Sequence, residues 1–380
     1  MNKSLMISAG EASGDLHAAN LVKALRKHQA NLSVCAMGAD LLRAEGAEIL
    51  VDCRAIAVMG IVEVLKHWGD IQAALQRLKD EIDNNPPDLL ILVDYVEFNL
   101  KLAKYAKDKG VKVLFYVSPQ VWAWRSGRVP KIGKAIDMMA VLFPFETEVY
   151  EKSNVPVRFV GHPLADEVKP TMGRSEAQQV FNLHPDMNTV ALLPGSRKSE
   201  VERILPVLLQ SAVQIKKASA NIQFILPVAP TLCKEYIRQF IDNVGIEVIL
   251  INAQTHDVVA CSDAVIVASG TATLEVALLE KPMSIVYKTN PISYSILSRM
   301  IKVEHIGLAN IVTGKGIVPE FIQDYAEPHI IAAEVLKQLE DERYRSTMIN
   351  ELSKVKIKLA AGGGSSKIAA LAHEMLEGQH

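Results

Sequence analysis

Short runs of Val, Ile, Leu and Met recur along the chain: "SLMIS", "LSVCAM", "DLLILVD" and "VKVLFYV", then "NTVALLP", "IQFILPV", "IEVILI", "DAVIVAS" and "PMSIVYK". Runs apolar at consecutive positions suit strands buried on both faces, and the amphipathic segments between them supply crossover helices. The pattern therefore predicts an α/β protein with doubly wound parallel sheets. The rhythm breaks at "GHPLADEVKPTMGRSE" (161–176), where prolines, glycines and charges intervene. This divides the chain into an N-terminal domain (1–165), a C-terminal domain (166–350) and a helical tail (351–380). After Pro328 no strand run recurs; helical patterns continue, broken at "GGGSS" (Gly362 to Ser366). A last helix, Lys367 to Leu376, is expected to pack back on the first domain. Open α/β sheets bind ligands beyond the carboxyl ends of their strands, so an active site between the two domains is expected.

A length of 380 residues agrees with two domains. The formal net charge of -2 supplies no global basic field and argues against nucleic acid. Cys35, Cys53, Cys233 and Cys261 form no C-x-x-C pair and read as reduced core residues. Leu5-Met6-Ile7 is too short for a secretory h-region, and no apolar run approaches the ~20 residues of a spanning helix, so any membrane contact is expected to be peripheral.

Two kinds of turn carry candidate chemistry. "SAGEASGD" follows the first strand but spaces its glycines G-x-x-x-G, which is neither a dinucleotide fingerprint nor a P-loop. The second strand also ends in Met37-Gly38 and lacks the ribose-binding acid. Glu11, Ser13 and Gly14 either line a crevice at a helix N-terminus or simply make the turn, with Ser13 or Asp15 as helix cap. In the second half, "ALLPGSRKSEVERILP" places Gly195, Ser196 and Arg197 at a helix start, where N–H groups, dipole and guanidinium suit a diphosphate. The alternative is a capped surface helix with a capping-box-like Ser199 to Glu202. "SDAVIVASGTATLEVALLEKP" repeats the pattern: Ser269, Gly270 and Thr271 open a helix whose Glu275 could accept two ribose hydroxyls. Two such turns in one domain favour a nucleotide diphosphate. No D-x-D or H-E-x-x-H occurs, so a metal is not indicated.

In the first half, Asp94 ends a buried strand, where partial burial would raise its pKa toward that of a useful base; helix capping is the alternative. "YVSPQVWAWRSGRVPKI" offers Trp122, Trp124, Arg125 and Arg128 for a sugar face and a phosphate, or for a domain interface. The segment Ala57 to Ile82 concentrates Met59, Val62, Val64 and Trp68 beside basic groups, more densely than one buried stripe needs, and would suit an anionic lipid surface.

"SAGEASGD", "VMGIVEVL", "YVSPQVWAWR", "VGHPLAD", "LLPGSR" and "ASGTATLE" occur in the order and approximate spacing of the lipid-A-disaccharide synthases, and the chain resembles that family over nearly its whole length. The resemblance implies a GT-B fold, two Rossmann-like domains facing across a cleft, and an inverting, metal-independent glycosyltransferase with no cofactor, peripheral to the cytoplasmic face of the bacterial inner membrane. It implies transfer of 2,3-diacylglucosamine from its UDP donor to 2,3-diacylglucosamine 1-phosphate, forming a β-1,6 disaccharide. By resemblance Arg197 and Glu275 hold diphosphate and ribose, Asp94 is the base, Asn310 joins the UDP site, and Glu11 faces the donor sugar or acceptor. The sequence departs from the family where Tyr95, Val96 and Glu97 follow Asp94, and where Ala309 precedes Asn310. A GT-B-fold UDP-sugar 2-epimerase and a non-catalytic lipid-binding module are the competing readings, and a homodimer is expected from base rates alone.

Overall fold

The computed structural model describes residues 3–56, 67–119, 121, 126–290, 294, 304–360 and 363–378. The chain forms two compact units, one of Met1–Pro163 with Leu359–His380 and one of Leu164–Lys358. The first is built on seven strands: β1 (Lys3–Ala9), β2 (Leu32–Gly38), β3 (Glu48–Asp52), β4 (Leu89–Val93), β5 (Lys112–Tyr116), β6 (Met138–Val141) and β7 (Val157–Phe159). Their order is β3-β2-β1-β4-β5-β6-β7. The second unit has β8 (Asn188–Leu193), β9 (Ile222–Val228), β10 (Val248–Asn252), β11 (Ala264–Ala268), β12 (Met283–Tyr287) and β13 (Glu320–Ile322), in the order β10-β9-β8-β11-β12-β13. Every pairing in both sheets is parallel.

All nine apolar runs form strands. β4 (LLILV) and β11 (AVIVA) are buried at every position, because helices cover both sheet faces and each side chain leaves water whichever way it points. Four strands escaped the pattern. β3 lies at the sheet edge with its residues only partly buried, so it carries a weaker apolar signal. β7 and β13 are three-residue edge strands, and β6 opens on Met138-Met139, which has little β preference of its own.

Beyond β13 the chain is helical: Pro328–Glu340, Glu342–Ala360 and Gly364–Leu376. Gly363 (φ 77) and Gly364 (φ 48) turn the chain through left-handed backbone, so the last helix begins ahead of the expected Lys367. Ile368, Leu371, Ala372 and Met375 are buried in it, and the helix packs against Ala12–Leu25 of the first unit. Its carboxyl end would leave carbonyls without helical partners. Lys3 Nζ donates to the Leu376 carbonyl at 2.8 Å and Lys112 Nζ to that of Met375 at 2.9 Å, two cations at the negative end of the dipole.

Asp15 takes a role that local sequence does not reveal. It is buried and accepts from the backbone N–H groups of Ala39 (2.7 Å) and Leu41 (3.1 Å), fastening the start of the helix Asp40–Ala44 to the helix Ala12–Leu25. Of the cysteines, Cys53 and Cys261 are buried and Cys35 partly so, but Cys233 is exposed; it precedes the surface helix Lys234–Ile241 and is no core residue. Asp15→Ala leaves buried donors without acceptors and should destabilise the first unit by about 1–3 kcal/mol in urea denaturation.

Candidate active site

In the first unit the strand order reverses between β1 and β4, which pair with Ala9 opposite Val93. Connections leave these two strands in opposite directions, so the space past their carboxyl ends stays open. Residues 10–14 and 94–99 fill its rim. Glu11 sits before the helix Ala12–Leu25 without a side-chain cap bond, Ser13 is exposed in the first turn, and Gly14 is buried, where an added Cβ would meet Ala9 Cβ at 3.4 Å. Neither Ser13 nor Asp15 caps this helix; Asp15 serves the neighbouring one.

Asp94 (φ 49) and Tyr95 (φ 44) are both left-handed, each costing of order 1–3 kcal/mol for a residue with a side chain. Tyr95 is the N-cap of the helix Val96–Asp108 and makes no side-chain cap bond, so Asp94 is not the helix cap that its position allowed. The double left-handed turn throws the Tyr95 ring across β1, where a Cβ at Gly10 would come within 2.3 Å of it; only glycine fits there. Burial raises the Asp94 pKa, the Glu11 charge raises it further, and the Tyr95 N–H donating to its carboxylate pulls the other way. The Tyr95 phenol, also raised by burial and by Glu11, donates to the Ile56 carbonyl at 3.1 Å.

Ile56 in turn lines a recess of about 490 Å³ together with Leu50, Val51, Ala74, His67 and Arg77. Trp68, 49% exposed, opens the helix Trp68–Asn84 beside this recess, with Lys101 Nζ 5.1 Å from its ring centre. Met59, Val62, Val64, Trp122, Trp124 and Arg125 lie outside the described residues. Arg128 is held by Glu97 at 2.6 Å.

The second unit repeats the reversal between β8 and β11, paired with Leu193 opposite Val267. After β8, Gly195 (φ 105) bends the chain into the helix Lys198–Ala218, and a Cβ there would lie 2.5 Å from Glu200 Oε2. The capping box thus runs from Arg197 to Glu200, two residues earlier than Ser199 to Glu202: the Glu200 carboxylate accepts from the Ser196 N–H (3.2 Å), the Arg197 N–H (3.3 Å) and the Arg197 guanidinium (3.1 Å). The turn therefore already binds an anionic group, and the pair is exposed enough to be worth little to the fold.

After β11, Gly270 (φ 153) leads through Thr271 into the helix Ala272–Leu278, while the Ser269 hydroxyl donates to the Ile306 carbonyl at 3.4 Å. Glu275, in the first turn, faces His256 Nε2 at 3.6 Å. The bond to Glu275 is the largest cause of a raised His256 pKa, against the lowering effect of burial. His256 was missed in the sequence; its only signal is a polar cluster, "NAQTHD", just past the apolar run of β10.

Asn310 is fully buried, and its amide is spent inside the protein. Nδ2 donates to the Val318 carbonyl (2.8 Å) and Glu320 Oε1 (2.7 Å), while Oδ1 accepts from the Ile317 and Val318 N–H groups at 2.8 and 3.0 Å. Glu320 also accepts from the Ile306 and Gly307 N–H groups, each at 2.9 Å. In this arrangement Asn310 holds the loop beside Ser269 and has no proton left for a ligand. Among the described residues, no group of three or more His, Cys, Asp or Glu side chains could hold a metal ion, and no helix is long and apolar enough to cross a membrane.

Two parallel sheets of Rossmann-like order, each reversing beside a strand that carries candidate turns, form a fold of the GT-B type. The fold recurs in solved structures, among them an epimerase and a glycosyltransferase. A UDP-GlcNAc 2-epimerase from Neisseria meningitidis, bound to UDP-GlcNAc, superposes with a TM-score of 0.65 at 14% identity over 98% of this chain and 100% of its own. The calicheamicin glycosyltransferase CalG4 does so with a TM-score of 0.65 at 15% identity over 99% and 98%. In sequence, residues 5–374 match the family described as lipid-A-disaccharide synthetase. A lipid-A-disaccharide synthase of Geobacter metallireducens is 49% identical over 99% of this chain and 98% of its own length. One of Coxiella burnetii is 41% identical over 99% of each. The chain belongs to the lipid-A-disaccharide synthase family and is a glycosyltransferase of lipid A biosynthesis. UDP-GlcNAc 2-epimerases share its fold at 12–14% identity, a likeness of fold alone.

The His256–Glu275 pair can be checked by NMR. His256 should titrate above the ordinary value of about 6.5, and Glu275→Gln should lower its midpoint. Because the folded value is raised, the pair's contribution to stability is complete below the ordinary histidine pKa and fades as pH rises through the raised one.

Proposed function

We propose that this glycosyltransferase moves 2,3-diacylglucosamine from UDP-2,3-diacylglucosamine to the 6-hydroxyl of 2,3-diacylglucosamine 1-phosphate, with Asp94 as general base and without a cofactor or metal. The acceptor oxygen attacks the donor's anomeric carbon and gives its proton to Asp94. The bond from that carbon to the diphosphate oxygen breaks, UDP departs with the electron pair, and the anomeric configuration inverts. The observation that carries this reading is Asp94 itself: a carboxylate at a strand reversal, partly buried, beside a second acid and on a costly backbone turn. Each feature favours proton uptake or marks a geometry kept for use.

On the donor side, Ser196 and Arg197 would exchange the Glu200 carboxylate for the diphosphate, with Gly195 allowing close approach. Ser269, Gly270 and Thr271 would complete the anion site, and Glu275 would accept the ribose hydroxyls. Asn310 would serve by holding the loop. Arg197 would also offset charge developing on the leaving group, where such electrostatic help is strongest. Glu11, Ser13 and Gly14 would line the acceptor side. The recess at Ile56 would take acyl chain, and the exposed Trp68, with Lys101 over its ring, would join Met59, Val62, Val64, Trp122 and Arg125 in peripheral contact with acyl chains and anionic lipid at the cytoplasmic face of the inner membrane.

Purified protein given both substrates in detergent should release UDP and form the disaccharide 1-phosphate; folded protein that released no UDP would overturn the assignment. Asp94→Asn should lower turnover by about a hundredfold or more while leaving UDP affinity, measured by calorimetry, within about twofold. Arg197→Ala should impair both. Asp94→Asn should not lower the thermal midpoint, because it removes a buried charge beside Glu11.

A further inference from the structure

Beneath the turn at Asp94 lies a buried polar pair with no part in the chemistry described so far. Ser8, in β1, and Asn99, in the helix Val96–Asp108, are both fully buried, and the Ser8 hydroxyl donates to Asn99 Oδ1 at 2.6 Å. The Asn99 amide then donates to the Asp94 carbonyl at 2.7 Å, with longer contacts to the carbonyls of Val93 and Ser8 at 3.3 Å each. One side chain thus ties together the carboxyl ends of the two strands that meet at the reversal. It does so at the residue where the backbone turns left-handed, and an interaction must offset the cost of that turn. The Ser8 hydroxyl orients the amide: by accepting its hydrogen bond, Oδ1 is held on the Ser8 side and both protons of Nδ2 point at carbonyls.

We propose that Ser8 and Asn99 form the positioning device of the catalytic turn, clamping the Asp94 backbone in its left-handed conformation so that the carboxylate is held at the rim beside Glu11. The pair touches no substrate; it acts through Asp94, and so rests on the assignment of Asp94 as base. With the clamp loosened, the turn can relax toward ordinary backbone and the carboxylate toward water. Burial and Glu11 both raise the Asp94 pKa, so relaxation lowers it and moves the acid limb of the rate profile to lower pH.

Ser8→Cys keeps the size of the side chain but replaces a strong donor by a weak one, and Ser8→Thr keeps the hydroxyl. Ser8→Cys should lower kcat about tenfold, shift the acid limb of kcat/KM to lower pH and leave UDP affinity unchanged; Ser8→Thr should recover most of the rate. Asn99→Ala should act in the same direction more strongly, with circular dichroism confirming the fold. In an Asp94→Asn background, Ser8→Cys should cost no further rate, as two residues acting through one group are not additive. If Asp94→Asn alone keeps its turnover, the assignment of the base is wrong. If Asp94→Asn is slowed as expected while Ser8→Cys leaves rate and pH profile unmoved, or slows the wild-type and Asp94→Asn backgrounds by the same factor, the base stands and the clamp is wrong.

Discussion

An amide inside a strand has only the carbonyl of the neighbouring strand to bond, and in a parallel sheet that neighbour can be reached only by a crossover that returns to the same end. Both units are governed by this constraint. Their hydrogen-bond ladders put β1 beside β4 and β8 beside β11, and at these pairs the crossovers part toward opposite sides. Backbone past the last ladder bond loses its partners there. The groups that satisfy it are Asn99 on the Asp94 carbonyl and Glu200 on the Ser196 and Arg197 N–H groups.

In the proposed reaction the two reversals would serve different chemistry, because their residues satisfy the backbone differently. In the second unit the groups left by the ladder are N–H donors, bonded by the half-buried Glu200 carboxylate, which a diphosphate would replace in the proposed reaction. In the first unit the free group is a carbonyl, bonded by a buried amide that has nothing to exchange with. The one arrangement suits binding and release, and the other suits holding a carboxylate still. A base that must meet a hydroxyl in one orientation gains from rigidity, since a small misplacement costs large factors in rate.

Strands buried on both faces were legible because their apolar runs have no other economical fold; the half-covered edge strands β3, β7 and β13 were not, because partial exposure relaxes the demand for apolar residues. The candidate turns were legible for a similar reason, as glycine and small polar residues directly after a buried run mark the point where the ladder stops. His256 was missed because a lone histidine in a polar loop has no signal until Glu275 faces it from another turn. Asp15 read as a possible cap of its own helix, and Asn310 joined the UDP site by resemblance; both side chains instead bond backbone groups farther along the chain, which local context does not show.

What the sequence determined by itself was therefore the class of fold, the strands of both sheet centres and the turns that follow them, since each depends on burial and on backbone freedom that neighbouring residues specify. Only the tertiary structure decided which polar side chains remain for a ligand. That choice rests on hydrogen bonds between segments far apart in the chain, as when Ser8 meets Asn99, or when Lys3 and Lys112 close the last helix onto the first sheet. A donor or acceptor can be spent once, and where it is spent depends on contacts that local spacing does not contain.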